Sequence, residues 1–313
     1  MNIKLPPIVP VVSIEKIDDA LHITKALLDG GISCIEVTLR TDDAIDAIKM
    51  IKNHYPAMTV GAGTIINIEQ IDLAIDAGAD FLVSPGLNVN VVKYAQEKNI
   101  IIYPGCTNSS DIELAISLGV TDLKFFPAES SGGINMIKSL CAPYDMIRFM
   151  PTGGITNDNI NEYLKFDKVI ACGGSFLINE EILRNRDYKQ ITINCKNTLK
   201  NILDLDVKHV GINVNNNEDC FSIANNLENL LCTEKIETGN SYFIGDIEIL
   251  KDCPYKKGYI SLETNNLYRA ISYYESMNVH FNYSTATYSD SNKLSSIFFE
   301  DEVAGYAYKL IQK

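Results

Sequence analysis

Eight short apolar runs, separated by amphipathic stretches at regular spacing, fill the chain as far as about residue 175, and this alternation restricts the fold more than any other feature. The runs read as strands at Ile8–Val12, Cys34–Arg40, Thr59–Thr64, Phe81–Gly86, Ile101–Cys106, Asp122–Glu129, Ile147–Gly154 and Lys168–Gly174. Between them the 3.6-residue period predicts helices over Asp18–Leu28, Asp42–Asn53, Ile68–Ala77, Val89–Glu97, Ser109–Leu118, Ile134–Leu140 and Asn157–Lys165. Strands alternating with helices call for parallel pairing, and eight of them match a (β/α)8 TIM barrel. A doubly wound open sheet and a barrel with irregular ends are the remaining options. In all of these, sites lie at the carboxyl ends of the strands, where Gly, Pro, Thr and Ser collect in this chain.

The alternation stops well short of residue 313. Near Asp204 the composition changes: ten of the 16 tyrosines but only five of the 19 glycines lie in residues 206–313. Two domains are therefore expected, 1–205 and 206–313. The net charge of −13 disfavours nucleic acid as a partner, because phosphates repel an acidic surface. No apolar run approaches the roughly 20 residues of a membrane span, and Met1–Pro7 does not read as a signal peptide, so the expected location is the cytoplasm. The eight cysteines form no Cys-x-x-Cys pair and read as reduced, small hydrophobic residues.

Within the barrel pattern, some charges fall where apolar side chains are usual. In Ile35-Glu-Val-Thr-Leu-Arg40, alternation puts Glu36, Thr38 and Arg40 on one face, which must look inward. Asp122-Leu-Lys-Phe-Phe-Pro-Ala-Glu129 likewise puts Lys124 and Phe126 on one face. A lysine, a glutamate and an arginine converging there supply a nucleophile, an acid/base and an anion clamp. Mutual neutralisation is the bland alternative, and it is a weak one because buried ion networks are poor stabilisers. Gly153-Gly154 and Gly173-Gly174-Ser175 follow strands 7 and 8, where barrels often hold phosphate, with the Thr152 and Ser175 hydroxyls nearby. Gly61-Ala-Gly63 lacks the remaining glycine and downstream acid of a dinucleotide fingerprint.

Six motifs in order, Glu36-Val-Thr-Leu-Arg-Thr41, Gly61-Ala-Gly-Thr64, Ser84-Pro-Gly86, Lys124-Phe-Phe-Pro-Ala-Glu129, Pro151-Thr-Gly-Gly-Ile155 and Gly173-Gly-Ser175, resemble the 2-keto-3-deoxy-6-phosphogluconate (KDPG) and 2-keto-4-hydroxyglutarate (KHG) aldolases over about residues 6–200. The resemblance implies that Lys124 forms a Schiff base with the substrate's C2 ketone and that Glu36 moves protons. It further implies that Arg40 and Thr64 hold the pyruvate carboxylate, and Phe126, on the face of Lys124, is a further candidate for substrate binding. Thr152, Gly153, Gly154, Gly174 and Ser175 then receive the rest of the substrate, its phosphate included. No cofactor or metal is implied, since the protonated imine itself is the electron sink. The substrate would be KDPG, cleaved to pyruvate and D-glyceraldehyde 3-phosphate, with KHG as a second substrate cleaved to pyruvate and glyoxylate. Family members are typically trimeric. An aldolase for the phosphogalactonate epimer or another 2-keto acid is the rival, but its relatives tend to carry an apolar residue in place of Thr152. A different class of reading makes the barrel a degenerate sensor of sugar-acid phosphates, against which Lys124 and Glu36 both argue.

Residues 206–313 read as two β-α-β-β modules with room for a further strand. The first has His209–Val214, a helix over Glu218–Leu231 and strands around Tyr242–Leu250; the second has Tyr259–Thr264, Leu267–Met277, His280–Ser284, Leu294–Glu300 and Ala304–Ile311. This pattern resembles the glyoxalase/vicinal-oxygen-chelate superfamily, whose metal-binding members place His or Glu on equivalent strands of both halves. Here those places hold His209, Tyr259 and Lys309, and one histidine with Glu248 is too few for a metal site. A non-catalytic α+β domain without metal is expected.

Overall fold

In the computed structural model, which describes residues 5–214 and 220–313, the chain forms two compact units, Met1–Ile202 and Leu203–Lys313. The apolar runs of the first unit become strands β1 (Ile8–Val12), β2 (Cys34–Thr38), β3 (Thr59–Gly63), β4 (Phe81–Val83), β5 (Ile101–Tyr103), β6 (Asp122–Phe125), β7 (Arg148–Pro151) and β8 (Cys172–Gly174). The intervening helices are α1 (Ile17–Asp29), α2 (Ala44–His54), α3 (Ile68–Asp76), α4 (Val89–Glu97), α5 (Ser109–Ser117), α6 (Gly133–Cys141) and α7 (Ile160–Leu164). After β8 come α8 (Glu180–Asn185) and α9 (Tyr188–Leu203).

All pairings among these strands are parallel, in the orders β5-β4-β3-β2-β1-β8 and β6-β7. Parallel bridges Gly105–Lys124, Phe149–Val169 and Thr152–Gly173 link the two groups, so the strands follow one another round an α/β barrel-like fold. Helices cover its outside, and β2 is buried on both faces as a result. Asparagine side chains cap several helices: Asn67, Asn88, Asn108 and Asn179 accept from the first-turn N–H groups of α3, α4, α5 and α8. Helix α1 buries Ala20, Ile23, Thr24 and Leu27, one stripe at helical spacing. Gly30, at its end, allows close approach of Cys195 on α9, where Thr192 also donates to the Ala26 carbonyl at 3.0 Å.

Two expectations need correction here. Strands β2 to β7 stop short of the ends that their apolar runs suggest, and β8 begins at Cys172, not Lys168. The carboxyl-terminal residues leave the ladder to form loops, so Arg40 sits in a turn, its N–H bonded to Thr38 O at 2.8 Å, and not on the inward face of β2. Phe126 likewise follows the end of β6.

The second unit contains an eight-stranded sheet in the order β10-β11-β12-β9-β13-β16-β15-β14. Its first half is β9 (Asp206–Asn213), α10 (Cys220–Leu231), β10 (Lys235–Thr238), β11 (Ser241–Ile244) and β12 (Ile247–Leu250). Its second is β13 (Gly258–Thr264), α11 (Leu267–Ser276), β14 (Phe281–Tyr288), β15 (Leu294–Phe299) and β16 (Ala307–Gln312). Each half is thus β-α-β-β-β, its last strand parallel to its first, and antiparallel β9 and β13 join the halves. The strands expected around Tyr242–Leu250 form a hairpin, turned at Gly245, whose φ of +59° suits glycine. The expected start of α10 at Glu218 lies outside the described residues. Val214, Ala224, Tyr242, Ile244 and Ile249 form the core of the first half. Among the described residues no helix is long and apolar enough to cross a membrane.

Candidate active site

Lys124, the third residue of β6, and Glu36, the third of β2, are both buried, and their side chains meet inside the barrel. Nζ of Lys124 donates to Oε1 of Glu36 at 3.3 Å. The amine also lies 5.2 Å from the ring centroid of Phe126, which faces its charge. The second carboxylate oxygen, Oε2 of Glu36, and the Thr152 hydroxyl are buried without a hydrogen-bond partner among the described residues. Leaving buried polar atoms unmatched is costly in a folded protein, and it is tolerated where a bound molecule supplies the match.

Both groups open on a cavity of about 750 Å³ at the carboxyl ends of the strands. Nine of the ten candidate residues named from the sequence line it: Lys124, Glu36, Arg40, Phe126, Thr152, Gly153, Gly154, Gly174 and Ser175. The tenth, Thr64, is not part of the lining but touches it through Arg40, whose Nε donates to the Thr64 hydroxyl at 3.3 Å. Thr64 has φ +63°, a left-handed conformation that is unusual for a β-branched residue. Gly153 and Gly154 also have positive φ, +97° and +80°, which explains why this turn is built from glycine.

The lining also contains residues outside those motifs, among them Ser13, Glu15, Phe176 and Ile178. Ser13 directly follows β1, and its hydroxyl lies 2.7 Å from that of Thr38. The rule that sites collect at the carboxyl ends of barrel strands would have found it. Beside the cavity, the Tyr163 hydroxyl donates to Glu129, which lies against Gly154.

A barrel-like α/β fold holding an amine against a carboxylate in an open cavity has the working parts of an aldehyde-lyase. The sequence model of the family Aldolase: KDPG and KHG aldolase matches residues 1–194. A 2-dehydro-3-deoxy-phosphogluconate aldolase of Haemophilus influenzae is 42% identical over 184 residues, 59% of this chain and 87% of that protein. The crystal structure of the 2-keto-3-deoxy-6-phosphogluconate aldolase of Zymomonas mobilis ZM4 with 3-phosphoglycerate is similar at a TM-score of 0.60 and 40% identity, covering 62% of this chain and 91% of that one. The KDPG aldolase of Legionella pneumophila, with pyruvate captured as a covalent carbinolamine, matches at a TM-score of 0.60 and 37% identity over 62% of this chain and 94% of that one. The chain belongs to the KDPG and KHG aldolase family.

Proposed function

We propose that the first unit is a class I aldolase that cleaves KDPG to pyruvate and D-glyceraldehyde 3-phosphate, and also cleaves KHG. The observation that carries this reading is the buried Lys124–Glu36 pair at the mouth of the cavity. The neutral amine of Lys124 adds to the C2 ketone, and Glu36, carrying the proton that Lys124 has given up, delivers it to the carbinolamine hydroxyl, which leaves as water to give a protonated imine. Glu36 takes the proton of the C4 hydroxyl, the C3–C4 bond breaks, and its electrons flow into the imine to leave an enamine. The aldehyde departs, C3 is protonated, and water releases pyruvate from Lys124. Arg40 holds the carboxylate with Thr64 behind it, and the loops at Gly153–Gly154 and Gly174–Ser175 receive the phosphate. Nothing in these steps needs a metal or an organic cofactor.

Thr152 favours the gluconate over the galactonate epimer, because its unmatched hydroxyl suits a substrate hydroxyl. The second unit is read as a non-catalytic, glyoxalase-like domain, supported by its duplicated β-α-β-β-β halves. Its central strands carry His209, Glu248, Tyr259 and Lys309; Glu248 accepts from Ser241 at 2.6 Å and from Tyr259, and lies 3.5 Å from His209. Among the described residues no group of three or more His, Cys, Asp or Glu is placed to hold a metal ion. A cytoplasmic homo-oligomer, a trimer as is usual in the family, completes the proposal.

Borohydride trapping tests it. Pyruvate and sodium borohydride should leave a stable adduct on Lys124, mapped by peptide mass and absent from Lys124→Ala. A folded protein that forms no adduct would overturn the aldolase reading and favour a sensor.

A further inference from the structure

Strand β3 has glycine at two of the three positions, 59, 61 and 63, that share its inward face. Gly61 leaves space that the Phe81 ring fills. Gly63 does something more specific. A Cβ on Gly63 would collide with Oε1 of Glu36, the oxygen that faces Lys124, and would lie 2.9 Å from both Cγ and Cδ of the same side chain. Glu36 is 1% exposed and its Oε1 accepts from Lys124, so a shift away from position 63 would carry the carboxylate off that partner and toward the cavity. Gly63 does not need glycine for its backbone, since it is not among the residues with positive φ.

A second glycine repeats the arrangement. A Cβ on Gly173 in β8 would collide with Oγ1 of Thr152 and lie 3.0 Å from its Cγ2. Gly173 is also not among the positive-φ residues. The two side chains that these glycines would displace, Glu36 and Thr152, are the two among the described residues with a buried, unmatched oxygen. Each of those oxygens is therefore held in its place with a bare stretch of backbone behind its side chain.

We infer that Gly63 and Gly173 are positioning residues for the cleavage reaction, the first setting the carboxylate of Glu36 against Lys124 and the second setting the hydroxyl of Thr152 in the substrate cavity. Gly63 is not part of the cavity lining, whereas Gly173 lines it beside Thr152 and acts here through that hydroxyl. Gly63 acts on proton transfer, so its loss falls on kcat; Gly173 acts on a binding hydroxyl, so its loss falls on KM and on discrimination between C4 epimers. The inference rests on the aldolase reading for its kinetic half, while its steric half stands on the packing alone.

The test is a double-mutant cycle on the full chain, read first by calorimetric melting. Gly63→Ala should lower the melting temperature by roughly 2–10 °C in the wild-type background, the range expected for an overpacked methyl group. In the Glu36→Ala background, where the colliding atoms are gone, the same substitution should cost less than about 1 °C. Failure of Gly63→Ala to fold, with Gly63→Ala/Glu36→Ala folded, gives the same answer more strongly. Equal losses in both backgrounds, or no folded protein in either, would overturn the inference by showing that position 63 needs glycine for reasons unrelated to Glu36. Where Gly63→Ala folds, kcat should fall at least tenfold with KM within about threefold, and an unchanged kcat would also overturn it. Gly173→Ala is tested in the same way against Thr152→Ala, with KM as the kinetic readout. Absence of a pyruvate adduct on wild-type Lys124 would refute the aldolase reading while leaving the melting cycle to decide the packing.

Discussion

Nε of Arg40 reaches the hydroxyl of Thr64 across 3.3 Å, and Thr64 offers that hydroxyl from a left-handed backbone at φ +63°. A β-branched residue in this conformation stores roughly 1–2 kcal/mol that the rest of the fold must offset. Strain of this size persists where the side chain's position matters more than local stability.

Thr64→Gly should therefore leave the melting temperature unchanged or slightly higher, because relief of strain offsets the roughly 0.5–1 kcal/mol entropic cost of glycine. The KM for the 2-keto acid should rise about tenfold as Arg40 loses its anchor. A marked drop in melting temperature would show that Thr64 serves the fold and not the site.

Glu36→Gln preserves shape but removes the proton acceptor. Steady-state assays should show kcat reduced by about 10²- to 10⁴-fold, the usual contribution of a positioned acid/base. The borohydride adduct on Lys124 should still form, more slowly. A kcat within a factor of ten of wild type would take Glu36 out of the proton-transfer role.

In the second unit, burial by itself would raise the pKa of Glu248, but hydrogen bonds from His209, Ser241 and Tyr259 outweigh it and bring the carboxyl from its usual 4.5 to about 2. A group depressed on folding adds stability above its unfolded pKa and loses it as pH falls through the folded value. Stability should thus decline between about pH 4.5 and pH 2, and Glu248→Gln should flatten that decline. Near-ultraviolet circular dichroism weights this unit, since the chain has no tryptophan and ten of its 16 tyrosines lie in residues 206–313.

Thiol labelling separates the cysteines by environment. Burial pushes Cys106 and Cys195 up to about 12, and burial with the nearby Glu36 carboxylate pushes Cys34 higher still. Cys232 is exposed. Iodoacetamide at about pH 8 should modify Cys232 first and leave Cys34, Cys106 and Cys195 untouched in the native protein. Early labelling of any of those three, located by peptide mass, would contradict the packing described above.

Much of this was readable in advance, for identifiable reasons. Parallel strands buried on both faces appear as continuous apolar runs, so Cys34–Thr38 and Ile8–Val12 stand out, and Lys124 stands out by contrast. Where strands end is harder to read, because apolar residues such as Leu39 continue past the end of the strand, and the turn that re-aims Arg40 leaves no compositional mark. Strand β10 was illegible for the opposite reason: Lys235-Ile-Glu-Thr238 is an edge strand, largely exposed, with no apolar face to announce it. Helix α9 did leave a signal in the spacing of Ile191, Cys195, Leu199 and Ile202, but counting strands passes over it. The service that Gly63 performs could not be seen at all, since a missing side chain matters only once its neighbour is known.

The two glycines on the inner face of β3 also divide the mutational landscape of this barrel. The residues of that strand facing the helices, Val60 and Ala62, are fully buried and can exchange for others of similar volume at modest cost. On the inner side there is no comparable freedom, because an added atom meets the Phe81 ring at position 61 and the Glu36 carboxylate at position 63. Homologous chains that drift in sequence should accordingly accumulate changes in the outer layer long before the inner one, and a substitution at position 63 would mark a lineage that has given up the chemistry.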